Sequence, residues 1–405
     1  MKYLLSDRMQ GLEASAIREL LKVAQDPTVI AFSAGNPAPE SFPIAEMAEI
    51  SASIYKNLPS KAFQYGISEG YPPLRELTAK RIKEKLNIGM DFDQVIIVSG
   101  GQQGMELSTK ILTNPGDTVI CESPSFIGAI NAFKSYDLNL KSVEMDEMGI
   151  IPESLEAIVK IDNRVRFLYT IPTFQNPSGR TMTLERRKKV LEIAKRYDFL
   201  ILEDNPYGEL RYTGEEVPSI KSLDHEGRII YVGSYSKVLS PGIRIGFVCA
   251  HKDIIAKLVI AKQVSDVHSN QFFMIVAAEY LEKYDLDQHI QRVRKLYKDK
   301  LDLMSGCIEK YFPKEVIFHK PDGGLFLWCE LPEGYDAMGL CKLAGEKKVS
   351  IVPGRVFEVE EKEISGTFRL NFSTPSNENI VKGIEILGSV IKEYLENNKP
   401  VTGVE

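Results

Sequence analysis

Lys237 stands in a run of small hydroxyl residues, Gly233-Ser234-Tyr235-Ser236-Lys237, with Arg244 just beyond a Pro241-Gly242 turn. A lysine amine that has lost its proton attacks an aldehyde, and desolvation or a nearby cation favours that neutral form. Ser234, Ser236 and Arg244 can hold a phosphate between them, the arginine supplying a planar fork of donors. Imine chemistry beside a phosphate site makes pyridoxal 5'-phosphate the first cofactor to weigh. For Ser-x-Lys alone, a polar surface loop is the plain alternative.

Five further segments can supply parts of such a site. Ser99-Gly100-Gly101-Gln102-Gln103-Gly104 follows an apolar run and opens a helical one. Gly100, Gly101 and Gln102 there can cradle an anion at a helix N-terminus. A dinucleotide site competes, with Glu122 near the spacing of a ribose contact, although the pattern is GGxxG rather than GxGxxG. Asp204, in Glu203-Asp204-Asn205-Pro206-Tyr207, ends an apolar strand. A buried carboxylate needs a cation, and a protonated pyridine nitrogen would serve. Tyr207, and Asn176 in Gln175-Asn176-Pro177, can bond a phenolic oxygen on the same ring. The plain readings are a capping Asp and a turn-forming Asn-Pro. Arg369 lies inside the apolar strand Thr367 to Phe372, where its fork fits a substrate carboxylate; an edge-strand arginine facing water is the alternative. Phe126, after Glu122-Ser123-Pro124, can stack on a ring or simply pack.

The elements that must position these residues alternate. Strands are expected at Val95 to Val98, Thr118 to Cys121, Arg166 to Thr170, Phe199 to Leu202, Ile229 to Val232 and Ile245 to Ala250. Between them lie helices at Gln103 to Leu112 and from a Thr183 cap to Tyr197. This alternation implies an α/β domain with a mostly parallel sheet flanked by helices. After Leu281 the pattern changes to a long helix, Gln288 to Tyr311. A hairpin around Asp322-Gly323-Gly324, a strand at Thr367 and a last helix, Asn377 to Glu396, follow. That part reads as a smaller α+β domain. In an open parallel sheet, ligands gather at the carboxyl ends of the strands, where several of the polar segments fall.

The 405 residues carry a net charge of -6 and are 43% hydrophobic, so nothing favours nucleic acid or an anionic membrane. The basic stretch Arg186-Arg187-Lys188-Lys189 reads as the solvated face of a helix. Five scattered cysteines form no CxxC pair, and the five histidines have no metal spacing. No metal is expected. There is no apolar signal region or run of membrane-spanning length, so a cytoplasmic protein is expected.

In this order the segments resemble the fold type I pyridoxal-phosphate aminotransferases of class I/II, over nearly the whole chain. Asp204-Asn205-Pro206-Tyr207, Ser234-Tyr235-Ser236-Lys237 with Pro241-Gly242-x-Arg244-x-Gly246, and Phe368-Arg369-Leu370-Asn371-Phe372 carry the likeness. Ser33-Ala34-Gly35-Asn36-Pro37, Tyr65-Gly66 with Gly70-Tyr71, and Pro172-Thr173-Phe174-Gln175-Asn176-Pro177 are similar to the 2-aminoadipate and kynurenine aminotransferase branch.

The resemblance implies three segments: residues 1–45 as part of the small domain and substrate cover, 46–285 as the large cofactor domain, and 286–405 as the rest of the small domain. It implies that Lys237 bonds the cofactor and shuttles a proton, that Asp204 pairs with the ring nitrogen, and that Asn176 and Tyr207 bond the ring oxygen. Phe126 would stack on the ring. Gly100, Gly101, Gln102, Ser234, Ser236 and Arg244 would hold the phosphate, joined by Tyr65 from a neighbouring subunit, which implies a homodimer. Arg369 would clamp the α-carboxylate with Asn176 and Gly35, and Arg18 on an N-terminal helix could meet a side-chain carboxylate. The implied activity moves an amino group from an L-amino acid to a 2-oxo acid, with 2-oxoglutarate as the expected acceptor and a 2-aminoadipate, aromatic or branched-chain donor. A C–S β-lyase of the same fold, a sensor that keeps the cofactor pocket, and a nicotinamide oxidoreductase are the alternatives.

Overall fold

The apolar runs in the middle of the chain become strands of one seven-stranded sheet, seen in a computed structural model that describes residues 26–360 and 364–400, with residue 3 and residues 6–10. Across the sheet the strands run Asp93–Val98, Gly246–His251, Ile229–Ser234, Leu200–Asn205, Val165–Thr170, Thr118–Glu122 and Asn139–Val143. All pairs are parallel except those of Gly246–His251, which is antiparallel to both neighbours. The six expected strands are present, their ends shifted by one to three residues, and Asn139–Val143 adds a seventh.

Side chains alternate across a strand, so a sheet covered on both sides needs apolar residues at every position. Val119, Phe167, Tyr169, Leu202 and Val232 enter one core. Ile120, Leu168, Ile201 and Ile229, their immediate neighbours, enter the other. Tyr169 and Asp204 therefore share a face, because Tyr169 is in register with Leu202, two residues before Asp204.

The helices have explicit starts. Thr183 accepts from Arg186 N to cap Leu184–Arg196. Asp285 caps Leu286–Tyr311, and Ser376 caps Asn377–Asn397. One expectation fails on the first of these helices. Arg187 is not on a solvated face: it is wholly buried and donates to the carbonyls of Pro172, Met182, Val217 and Pro218 and to Thr173 Oγ1. Its guanidinium stitches together loops that would otherwise leave carbonyl groups unsatisfied in the core. Arg186 is also engaged, with Ile150 O and Asp146.

A second, antiparallel sheet has the order Ile317–His319, Phe326–Glu330, Thr367–Asn371, Val352–Pro353. The N-terminal Ile30–Ala31 pairs in parallel with Val349–Ser350 close to it. Thr367–Asn371 is thus an interior strand. Phe368 and Leu370 enter the core on one face. Arg369 lies on the other and is only 4% exposed, so the edge-strand reading of this arginine is ruled out.

Candidate active site

The carboxyl ends of the parallel strands and the face of the small sheet that carries Arg369 enclose a cavity of about 390 Å³. Lys237 enters it from the turn after Ile229–Ser234, and its Nζ donates to Gly35 O at 2.8 Å. Burial first, then the positive charges of Arg369 and Arg244, push its ammonium down to about 8, so a useful fraction of neutral amine exists near neutrality.

Asp204 is at the end of Leu200–Asn205, 4% exposed. Its Oδ2 accepts from the Tyr169 hydroxyl at 3.0 Å. Burial pushes the carboxyl up to about 7, the tyrosine bond opposes that rise, and the charge of Glu122 adds to it. Asn176 Nδ2 and the Tyr207 hydroxyl meet at 3.5 Å, too long to satisfy either group.

The anion cradle forms where expected. Gly100 precedes the helix Gly101–Leu112 with φ +79, a conformation open to glycine. A Cβ there would lie 2.4 Å from Arg244 Nη2, so glycine also admits the arginine. Arg244 itself holds a left-handed φ of +54, which costs an L-residue roughly 1–2 kcal/mol. Its bonds to Ser99 O and Pro241 O keep the guanidinium across the mouth of the cradle. Ser234 Oγ accepts from Ser236 N. Gly101, Gln102, Ser234 and Ser236 all line the cavity, as does Phe126.

Arg369 donates through Nη1 to Asn176 Oδ1 at 2.8 Å and through Nη2 to Ser33 O at 3.0 Å. The guanidinium lies between two rings, 4.1 Å from the Phe326 centroid and 4.9 Å from that of Phe357. Cation–π contact on both faces fixes its plane. Its Nε is buried and has no partner among the described residues.

Residues 27–387 match the family described as aminotransferase class I and II. The chain belongs to the class I and II aminotransferases. It is 41% identical over 395 residues to aromatic-amino-acid aminotransferase 1 of Thermococcus litoralis, covering 96% of this chain and 94% of that one. Among solved structures, it resembles a Pyrococcus horikoshii kynurenine aminotransferase in complex with PMP, with 39% identity, a TM-score of 0.93 and coverage of 97% and 98% of the two chains. It also resembles the alpha-aminoadipate aminotransferase of Thermus thermophilus, complexed with N-(5'-phosphopyridoxyl)-L-leucine, with 36% identity, a TM-score of 0.89 and the same coverage. The enzyme is a pyridoxal-phosphate-dependent aminotransferase of fold type I.

The aminotransferase's own residues fit that cofactor on independent grounds. Asp204 is a buried carboxylate with no cation beside it among the described residues, the Asn176–Tyr207 pair has spare donors, and a glycine-opened cradle faces the amine of Lys237. The ribose reading of Glu122 fails. That carboxylate is buried and accepts from Thr170 Oγ1, Ile171 N at 3.0 Å and Gln175 Nε2 at 3.2 Å. It holds the loop that bears Asn176.

Two expected residues stand apart. Tyr65 is 80% exposed, does not line this cavity, and sets its ring edge-on to His268. Arg18 lies outside the described residues. Sequence reasoning missed Tyr169, Phe326 and Phe357. The first was hidden in an apolar strand, and the phenylalanines carried no signal beyond hydrophobicity. Among the described residues, no helix is long and apolar enough to cross a membrane.

Proposed function

We propose that this aminotransferase takes its amino group from L-amino acids with aromatic or branched apolar side chains and passes it to a 2-oxo acid, with 2-oxoglutarate as acceptor. The observation that carries the reading is Arg369: a buried guanidinium, its Nε without a partner among the described residues, facing the same cavity as Lys237. A carboxylate is the ligand such a fork accepts best. Ile127, Ile171 and Phe326 offer apolar walls to a side chain. The relatives named for aromatic-amino-acid and kynurenine substrates support the same class.

In this reading Arg369 clamps the α-carboxylate, with Asn176 and the Gly35 segment completing the contact, so that the α-amine faces Lys237. When bound, pyridoxal phosphate supplies an electrophilic carbon for that amine and a ring that takes up the electron pair left at Cα. Lys237 Nζ holds the cofactor at rest. Its free amine would take the proton from the substrate's Cα and hold it for delivery to C4′. Asp204 faces the ring nitrogen and favours its protonated form. Asn176 and Tyr207 bond the ring oxygen, and Phe126 covers one face of the ring and excludes water there. Gly100, Gly101, Gln102, Ser234, Ser236 and Arg244 hold the phosphate.

Tyr65 is assigned to the phosphate of a neighbouring subunit, which makes the enzyme a homodimer with shared sites; its exposure outside its own cavity supports this. Residues 46–285 then form the cofactor domain, while the described residues of 1–45 and 286–405 belong to the small domain that brings Gly35 and Arg369. A panel of L-amino acids assayed against 2-oxoglutarate tests the donor class. Phenylalanine, tyrosine and leucine are expected to lead. Preference for alanine or aspartate over all of them contradicts the reading.

A further inference from the structure

Asp204 faces the cavity, whereas Glu122, also buried, does not line it. Asp204 projects from the face of the sheet that carries Tyr169 and Val232. Glu122 ends Thr118–Glu122, two strands from that of Asp204 across Val165–Thr170, and lies beside Thr170 on the opposite face. Burial pushes both carboxyls up to about 7, and at Asp204 the charge of Glu122 adds a smaller rise that the Tyr169 hydroxyl opposes. The titratable groups that act on Asp204 are Tyr169 from Val165–Thr170, Glu122 from Thr118–Glu122, and Tyr207 from the loop after its own strand. Lys237 and Arg369 lie across the cavity. Of these, only Tyr169 makes a hydrogen bond to the Asp204 carboxylate.

We propose that Tyr169 is a positioning residue of the reaction: its hydroxyl keeps Asp204 ionised and aimed at the cofactor's ring nitrogen, against the opposing charge of Glu122. The inference rests on Asp204 having that role. A hydroxyl that donates to a carboxylate stabilises its charged form and fixes the direction of its second oxygen. Tyr169 is wholly buried, and its ring is pinned edge-on by Phe133 at 5.4 Å, so the hydroxyl has one place to point. Without it, Asp204 keeps its proton more readily and the ring nitrogen gains less. A ring that carries less positive charge leaves the Lys237 nitrogen bonded to the cofactor more basic.

The test is a visible-absorbance pH titration of the cofactor-loaded enzyme, with amino transfer measured alongside. Tyr169→Phe removes one oxygen and leaves the packing intact. Its absorbance midpoint is expected to rise by about half a pH unit or more, and amino transfer to slow about tenfold. Glu122→Gln removes the opposing charge. A glutamine keeps the same contacts, since its oxygen can accept from Ile171 N and Gln175 while its amide donates to Thr170 Oγ1. Its midpoint is expected to fall. A Tyr169→Phe midpoint equal to wild type, at whatever activity, overturns the inference and leaves the cofactor assignment standing. If Tyr169→Phe does not fold, the Glu122→Gln shift decides: a fall supports the carboxylate opposition, and no change overturns it. A wild-type enzyme with no pH-dependent cofactor band removes the Asp204 reading itself.

Discussion

Arg369 Nη1 lies 2.8 Å from Asn176 Oδ1, although 193 residues separate them in the chain. Asn176 belongs to a loop at the end of the large sheet, and Arg369 to an interior strand of the small one. The bond joins the ring side of the cavity to the carboxylate side. It also orients the asparagine, whose amide nitrogen is thereby turned toward Tyr207.

Arg369→Gln should therefore separate substrate capture from cofactor binding. Two charge-assisted bonds to a carboxylate are lost, which lowers kcat/KM by about 10²-fold or more. The loaded enzyme should still show a protein-bound visible band. Phe357→Leu, which removes one face of the sandwich around the guanidinium, should raise KM by a few-fold with kcat little changed. Steady-state kinetics on both variants check this.

Lys237 gives a pH prediction. Its ammonium is pushed down to about 8 by burial and by Arg369 and Arg244, and only the neutral amine attacks the cofactor aldehyde. The rate of pyridoxal phosphate uptake by cofactor-free protein should rise about tenfold per pH unit below about 8 and level off above it. Stopped-flow absorbance follows the rise.

Glu122 gives a stability prediction with an uncommon sign. Its folded carboxyl is pushed up to about 7 by burial, whereas an unfolded glutamate titrates near about 4.3. Between those values the folded state binds a proton that the unfolded state has lost. Stability from this group is therefore full at low pH and declines as pH rises to about 7. Glu122→Gln removes the decline. The stability of the glutamine variant relative to wild type should grow by up to about 1.4 kcal/mol per pH unit inside that window and stay constant above it. Denaturant titrations of cofactor-free protein at several pH values measure the difference.

Arg187→Leu should be severe. It strips donors from Pro172, Met182, Val217 and Pro218 carbonyls in the core at once. A loss of about 3–5 kcal/mol is expected, read as a drop in the denaturation midpoint. Thr183→Ala on the same helix removes only a cap and should cost about 1 kcal/mol.

Much of the large sheet was legible because buried parallel strands write themselves as apolar runs. The site was legible where chemistry needs a rare residue in an odd place: a lysine among serines, an aspartate closing an apolar strand, an arginine inside one. Arg187 was misread because a run of basic residues looks the same whether one member turns inward or not, and only the surrounding carbonyls decide. The role of Glu122 was out of reach for a similar reason, since spacing alone does not reveal that Thr170, Ile171 and Gln175 converge on it. Tyr169 was invisible because a tyrosine in an apolar strand shows its ring to the pattern and hides its hydroxyl.

The most direct test of the site is Lys237→Ala in enzyme supplied with pyridoxal phosphate. Amino transfer from a good donor to 2-oxoglutarate should fall by at least about 10³-fold. The protein-bound visible absorbance should be replaced by that of free aldehyde, with folding unchanged by circular dichroism. Transfer at the wild-type rate by this variant would contradict the assignment of Lys237 and the mechanism built on it.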